Sequence, residues 1–133
     1  MTITTAEIAS QPETWRRGLA EDLGAVGRAL AALPNFHVDT AGRLGEVGRQ
    51  PRAFRALVEA FPDRVLWGSD CFPIDADSIR LWWRFLESAD EHFDYGPEGE
   101  PPGQGNWRIS GAALPSSLLP GLYRDNAARL LGL

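Results

Sequence analysis

The chain has 133 residues, 44% of them apolar and 23% charged, proportions that fit one globular domain with one buried core and exclude a disordered segment. Its net charge is −5 with no cluster of Lys or Arg, which excludes the basic face a phosphate backbone requires, so no nucleic-acid partner is expected. A single cysteine, Cys71, excludes a disulfide framework and a cysteine-based zinc site. There is no basic-then-apolar leader and no apolar run of bilayer length, so the expectation is a cytoplasmic protein with no membrane partner.

Leu19, Leu23, Val26, Leu30 and Leu33 recur at helical spacing, and Pro34-Asn35 closes that helix. NFHVDT follows, with Phe36 and Val38 alternating against His37 and Asp39, which reads as a strand. Gly42, Gly45 and Gly48 mark a loop. Pro51 suits the first turn of the next helix. Phe54, Leu57, Val58 and Phe61 fall there at offsets 0, 3, 4 and 7, one buried face. Pro62-Asp63 ends that helix, and RVLWGS is a second strand.

DADSIRLWWRFLESAD gives a third helix, with Ile79, Trp82, Trp83 and Leu86 at the same offsets and Asp77 or Ser78 as its cap. Residues 94–106 are a loop rich in Gly and Pro, and WRISGAAL reads as extended. SSLLPGLYRDNAARLLGL closes the chain as a helix. Pro120 and Gly121 weaken its start, since Pro belongs in a first turn and Gly costs about 1 kcal/mol against Ala.

Two strands joined through an amphipathic helix make a βαβ unit, so the fold class is α/β with two or three parallel strands. Two strands are too few for a parallel sheet, which needs several with helices over both faces. Each edge would present unpaired N–H and C=O groups. That pattern suits the end piece of a larger α/β protein.

LPNFHVDTAGRLGEVGRQPRAFRALVEAFPDRVLWGSDCFP resembles the closing third of the amidohydrolase-related metal-dependent hydrolases. It has a strand carrying Val-Asp, a Gly/Arg loop ending Arg-Gln-Pro, a helix, Pro-Asp-Arg, and an apolar strand into Gly-Ser-Asp. LYRDNAARLLGL resembles the same family's last helix, and WRFLESADEHFDY with NWRISGAALP fits one branch of it. The likeness runs from about Leu19 to Leu133.

The resemblance implies the C-terminal fragment of a TIM (β/α)8 barrel, with strand 36–40 as its seventh and 64–69 as its eighth. It implies metal-assisted hydrolysis, or in some relatives decarboxylation, of a small carboxylate-bearing or cyclic substrate. It implies a divalent metal, zinc first, ligated by Asp70, which also takes the proton of the metal-bound water as general base. The family's remaining ligands are a His-x-His pair and further histidines. This chain has no His-x-His, and His37 and His92 match no family ligand. A TIM barrel takes about 250 residues, so the front strands are missing. A complementing chain or a homo-oligomer is the expected partner of such a piece. Residues 1–18 fit no part of that barrel, and TTAEIASQPETWRRGL resembles the opening helix of sugar isomerase domain proteins, which implies a phosphosugar ligand.

Each candidate residue carries a plainer alternative. Asp70 is a metal-site acid in an intact barrel, but a lone carboxylate is equally a solvated or capping residue, since zinc takes three or four protein ligands. Cys71 is a thiol nucleophile or a small buried residue. His37 and Asp39 share a strand face as a catalytic pair or as a polar outer face. Trp67, Trp82 and Trp83 line a pocket or fill a core. Arg43 and Arg49, flanking the Gly-rich loop, bind a substrate carboxylate through bidentate contacts or lie on the surface. The whole chain is then the closing part of a hydrolase, or a non-catalytic remnant that interacts with another chain.

Overall fold

The computed structural model describes residues 24–96, 99, 100 and 102–133. The sugar-isomerase-like stretch and the start of the first helix lie outside them. The chain divides into two compact units, Met1–Phe36 and His37–Leu133.

In the first unit, residues 24–32 form helix α1. The Leu33 N–H donates to Ala29 O at 2.9 Å, and the Phe36 N–H donates to Leu33 O across Pro34-Asn35. The chain thus leaves the helix at the breaker the sequence marks.

The second unit is built on two short parallel strands, β1 (Val38–Asp39) and β2 (Val65–Leu66), paired Val38 to Val65 and Asp39 to Leu66. Val65 is 1% exposed, whereas Asp39 on the opposite pleat face is exposed. Only one face of the pair is therefore packed as core. The crossover is α2 (Leu44–Arg49) followed by α3 (Pro51–Ala60). Pro51 stands in the first turn of α3, and Phe54, Leu57 and Val58 are buried along one side, as the 3.6-residue period requires.

Helix α4 (Ala76–Glu87) buries Trp82, Phe85 and Leu86. Trp83, assigned to this face from its spacing, is 49% exposed, and Phe85 is fully buried in its place. The two aromatics lie on adjacent flanks of the apolar stripe, and packing selects Phe85, whose ring tilts against Phe54 at 5.5 Å and meets Trp82 edge-on at 6.0 Å. The α4 cap is Asp75, which accepts the N–H groups of Asp77 and Ser78, rather than either of those residues. The reason is that the helix starts at Ala76.

Residues 42–48, expected as a loop, form a turn and then α2. Gly45 and Gly48 are buried inside that helix. A Cβ on Gly48 would lie 2.6 Å from Ile109, and one on Gly45 would lie 2.9 Å from the Tyr95 ring. Close packing thus sets these residues against their low helix propensity. The expected extended stretch after Trp107 makes one antiparallel bridge, Ile109 with Phe93.

The last segment is a 3-10 turn (Ser116–Leu118), a π-helical turn (Gly121–Asp125) and α5 (Asn126–Leu131). The wide turn begins beside Pro120 and Gly121, the residues that weaken α-helix here. This segment changes the edge problem posed by two strands. The Trp67 N–H donates to Leu122 O at 3.0 Å. The Asn126 side-chain amide donates to Val65 O at 2.8 Å and to Pro62 O at 2.7 Å. The bonds at the Trp67 N–H and Val65 O satisfy the β2 edge that faces away from β1, so that edge is covered by the chain's own C-terminal segment. The Tyr123 hydroxyl donates to Glu87 at 2.8 Å and ties the same segment to α4.

Candidate functional site

The carboxyl ends of β1 and β2 are locked together by one side chain. The Thr40 hydroxyl donates to Gly68 O at 3.0 Å and accepts the Gly68 N–H at 3.1 Å. Thr40 is 3% exposed, so both bonds are shielded from water and the two strand ends keep a fixed offset. Beyond this clamp each strand enters a tight turn. After β1, the Asp39 carboxylate accepts the Ala41 N–H at 2.8 Å, and Gly42 takes a left-handed φ of 65°. After β2, Asp70 takes a left-handed φ of 58°, a conformation Asp tolerates better than most residues. The turns bring Gly42 against Asp70: a Cβ on Gly42 would lie 2.9 Å from Asp70 Oδ2.

Asp70 stands at the lip of an open cavity of about 420 Å³. Leu44, Leu81, Trp82, Tyr95 and Pro102 give it apolar walls, and Ser69, Cys71, Ser78 and Gln104 add polar groups. Gln104 fastens the far wall. Its Oε1 accepts the Gly45 N–H at 2.8 Å, and its Nε2 donates to Gly42 O. The Tyr95 hydroxyl donates to Gly105 O at 2.7 Å, and Trp107 Nε1 donates to Gly45 O at 3.1 Å. Burial pushes the Tyr95 phenol above its ordinary value, with Glu46 adding to the rise, so it stays a neutral donor.

The near wall is the loop into α4. The Cys71 N–H donates to Ser69 Oγ at 3.2 Å, and the thiol reaches Asp75 Oδ2 at 3.1 Å. Hydrogen bonds from the Ser78 hydroxyl, the Ser78 N–H and the Cys71 thiol hold the Asp75 carboxyl down at about 2. The thiol therefore serves as a donor to a helix cap.

Asp70 differs from the other described aspartates. Asp39, Asp63, Asp75, Asp77, Asp90, Asp94 and Asp125 each accept a hydrogen bond or face an arginine. Among the described residues nothing pairs with the Asp70 carboxylate. Arg43 is on the surface with Glu46 at 3.3 Å, and the Arg49 guanidinium lies 4.6 Å over the Trp107 ring. Both arginines have partners within the chain, and neither is among the residues around the cavity. His92 is exposed, and its N–H donates to Ser110 Oγ. Trp67 meets Trp82 and Tyr123 edge-on at 6.4 and 6.0 Å. Trp82 is thus both core and cavity wall.

The metal implied by the sequence resemblance needs three or four donors around one point. Among the described residues no three His, Cys, Asp or Glu side chains converge. Asp70 supplies one donor, and the described part of this chain does not fit a metal site complete in itself. Gly42, Tyr95 and Gln104 went unseen in the sequence as site residues. Gln104 sits in a Gly/Pro-rich stretch with no local signal, and Asp75 was passed over for Asp77 or Ser78, although an Asp three residues before Ser78 at a helix start is a capping signal.

A family model described as Amidohydrolase matches residues 14–133. No curated protein matches the chain, and no solved structure does. None of this supports a sugar isomerase likeness. Among the described residues no helix is long and apolar enough to cross a membrane.

Proposed function

The chain belongs to the amidohydrolase family, and we propose that it is the closing portion of a barrel hydrolase, contributing the general-base carboxylate Asp70 and one wall of a small-molecule site. The remaining metal donors come from the front strands of the barrel, which these residues do not include. The observation that carries this reading is the Asp70 carboxylate, unpartnered among the described residues, at the carboxyl end of a parallel strand and on the lip of a cavity. Barrel enzymes place their chemistry at that end of the strands.

A base must reach the proton it removes without first breaking an internal bond. Asp70 meets that condition, because no described donor competes for its oxygens. The Thr40–Gly68 clamp fixes the strand ends behind it, and the Gly42 turn leaves room for its carboxylate. Hydrolysis is the chemistry we propose, on the strength of the family match. Any metal would supply water activation in the completed enzyme. The second reading, a non-catalytic interaction piece, is favoured by one fact, the failure of metal donors to converge among the described residues.

One assay tests whether the chain is catalytically complete in itself. The purified chain is incubated with simple amides and esters, with and without added zinc. The expected result is no turnover above the uncatalysed rate from this chain alone. Turnover that Asp70→Asn abolishes would show a complete active site and overturn the proposal that the front strands are needed.

A further inference from the structure

We infer that the Thr40 hydroxyl is the group that places Asp70: it stands in for a missing rung of the strand pair and holds β2 against β1 just before the Asp70 turn. Thr40 is thus a positioning residue, acting through Asp70. The inference rests on the reading of Asp70 as the base, and it names the side chain that aims it.

Backbone pairing runs out before Asp70 is reached. The Val38 N–H donates to Arg64 O at 3.0 Å, and the Thr40 N–H donates to Leu66 O at 3.1 Å. By the two-residue step of a parallel ladder, the next rung would run from the Gly68 N–H to Thr40 O. That carbonyl instead accepts the Arg43 N–H at 2.9 Å, as β1 turns away toward α2. The Thr40 hydroxyl fills the gap. It accepts the Gly68 N–H at 3.1 Å and donates to Gly68 O at 3.0 Å. A hydroxyl does both at once, and a methyl of the same size does neither. Thr40 is 3% exposed, so losing its hydroxyl leaves both Gly68 groups without their partner.

The residues beside Thr40 extend the same hold. The Asp39 carboxylate accepts the Ala41 N–H at 2.8 Å. Ala41 in turn lies against Gly68, where an added Cβ would come within 3.1 Å of the Ala41 Cβ. Gly42 then meets the Asp70 carboxylate. Asp70 has a left-handed φ of 58°, and no described donor steers its side chain. Its direction therefore follows the backbone beneath it, and Thr40 holds that backbone at Gly68.

The full chain is compared by NMR with Thr40→Val, which keeps the shape and loses the hydroxyl, and with Thr40→Ser, which keeps the hydroxyl. Three signals are read: hydrogen exchange at the Gly68 amide, the NOE between the Gly42 α-protons and the Asp70 β-protons, and the NOE between Val38 and Val65, which reports the strand pairing itself. In Thr40→Val the Gly68 amide is expected to exchange about tenfold faster. The Gly42–Asp70 NOE is expected to be lost while the Val38–Val65 NOE stays. Thr40→Ser is expected to restore the first two signals. A Gly42–Asp70 NOE unchanged in Thr40→Val overturns the inference. Loss of the Val38–Val65 NOE in that variant also overturns it, since the hydroxyl then holds the fold rather than the turn. So does a Thr40→Ser chain that behaves like Thr40→Val. These signals read geometry alone, so the role of Asp70 as a base stands or falls separately, by turnover.

Discussion

Asp75 and Asp70 lie five residues apart in chain and have opposite fates. Asp75 is saturated with donors, which depress its carboxyl to about 2. A carboxyl depressed in the folded state stabilises that state above its unfolded value, near 4, and loses the contribution as pH falls toward 2. In Asp75→Asn the cap remains an acceptor but no longer titrates. Thermal melts between pH 6 and pH 2 should therefore show a steeper loss of stability in the parent chain over the acid end of that range. Parallel curves would contradict the capping role. Asp70 has no such donors among the described residues, and the sequence singles it out twice, as a carboxylate closing an apolar strand and through the Gly-Ser-Asp motif of the family resemblance. The partners that shape its surroundings are not singled out. Gly42 and Gln104 matter only because a distant loop returns onto the β1 turn, and no local pattern encodes that return.

Helix faces were legible wherever the apolar period was unambiguous. Phe54, Leu57 and Val58 are buried as their spacing requires. The α4 face was read one residue off because Trp83 and Phe85 both border the stripe, and contact with Phe54 decided between them. Helix α2 was illegible because its two glycines argue locally against helix, while the reason for them lies far away, in Ile109 and Tyr95. The C-terminal segment gives the sharpest prediction at this scale. Asn126 is 2% exposed and donates to two backbone carbonyls, one on the outer edge of β2. Asn126→Ala leaves those acceptors buried and unsatisfied, at a cost of about 2–3 kcal/mol. Urea unfolding should register that loss, with faster hydrogen exchange at the Trp67 amide as the edge cover loosens. A loss below about 0.5 kcal/mol, within the range of ordinary surface substitutions, would show that the edge does not depend on Asn126.

As a whole, the described chain has the ingredients of a βαβ unit but covers its edge by its own means. The sequence suggested a sheet with two bare flanks. The fold instead lays Leu122 and Asn126 along β2, so a strand arriving on that flank must first displace them. The family matches nearly the whole chain, yet the donors a metal needs do not meet within the described residues. Family membership and the competence of this chain are thus separate questions, and metal binding separates them most directly. Calorimetric titration of the full chain with zinc should give no saturable site of one ion per chain. One tightly held zinc per chain, lost in Asp70→Asn, would contradict the account.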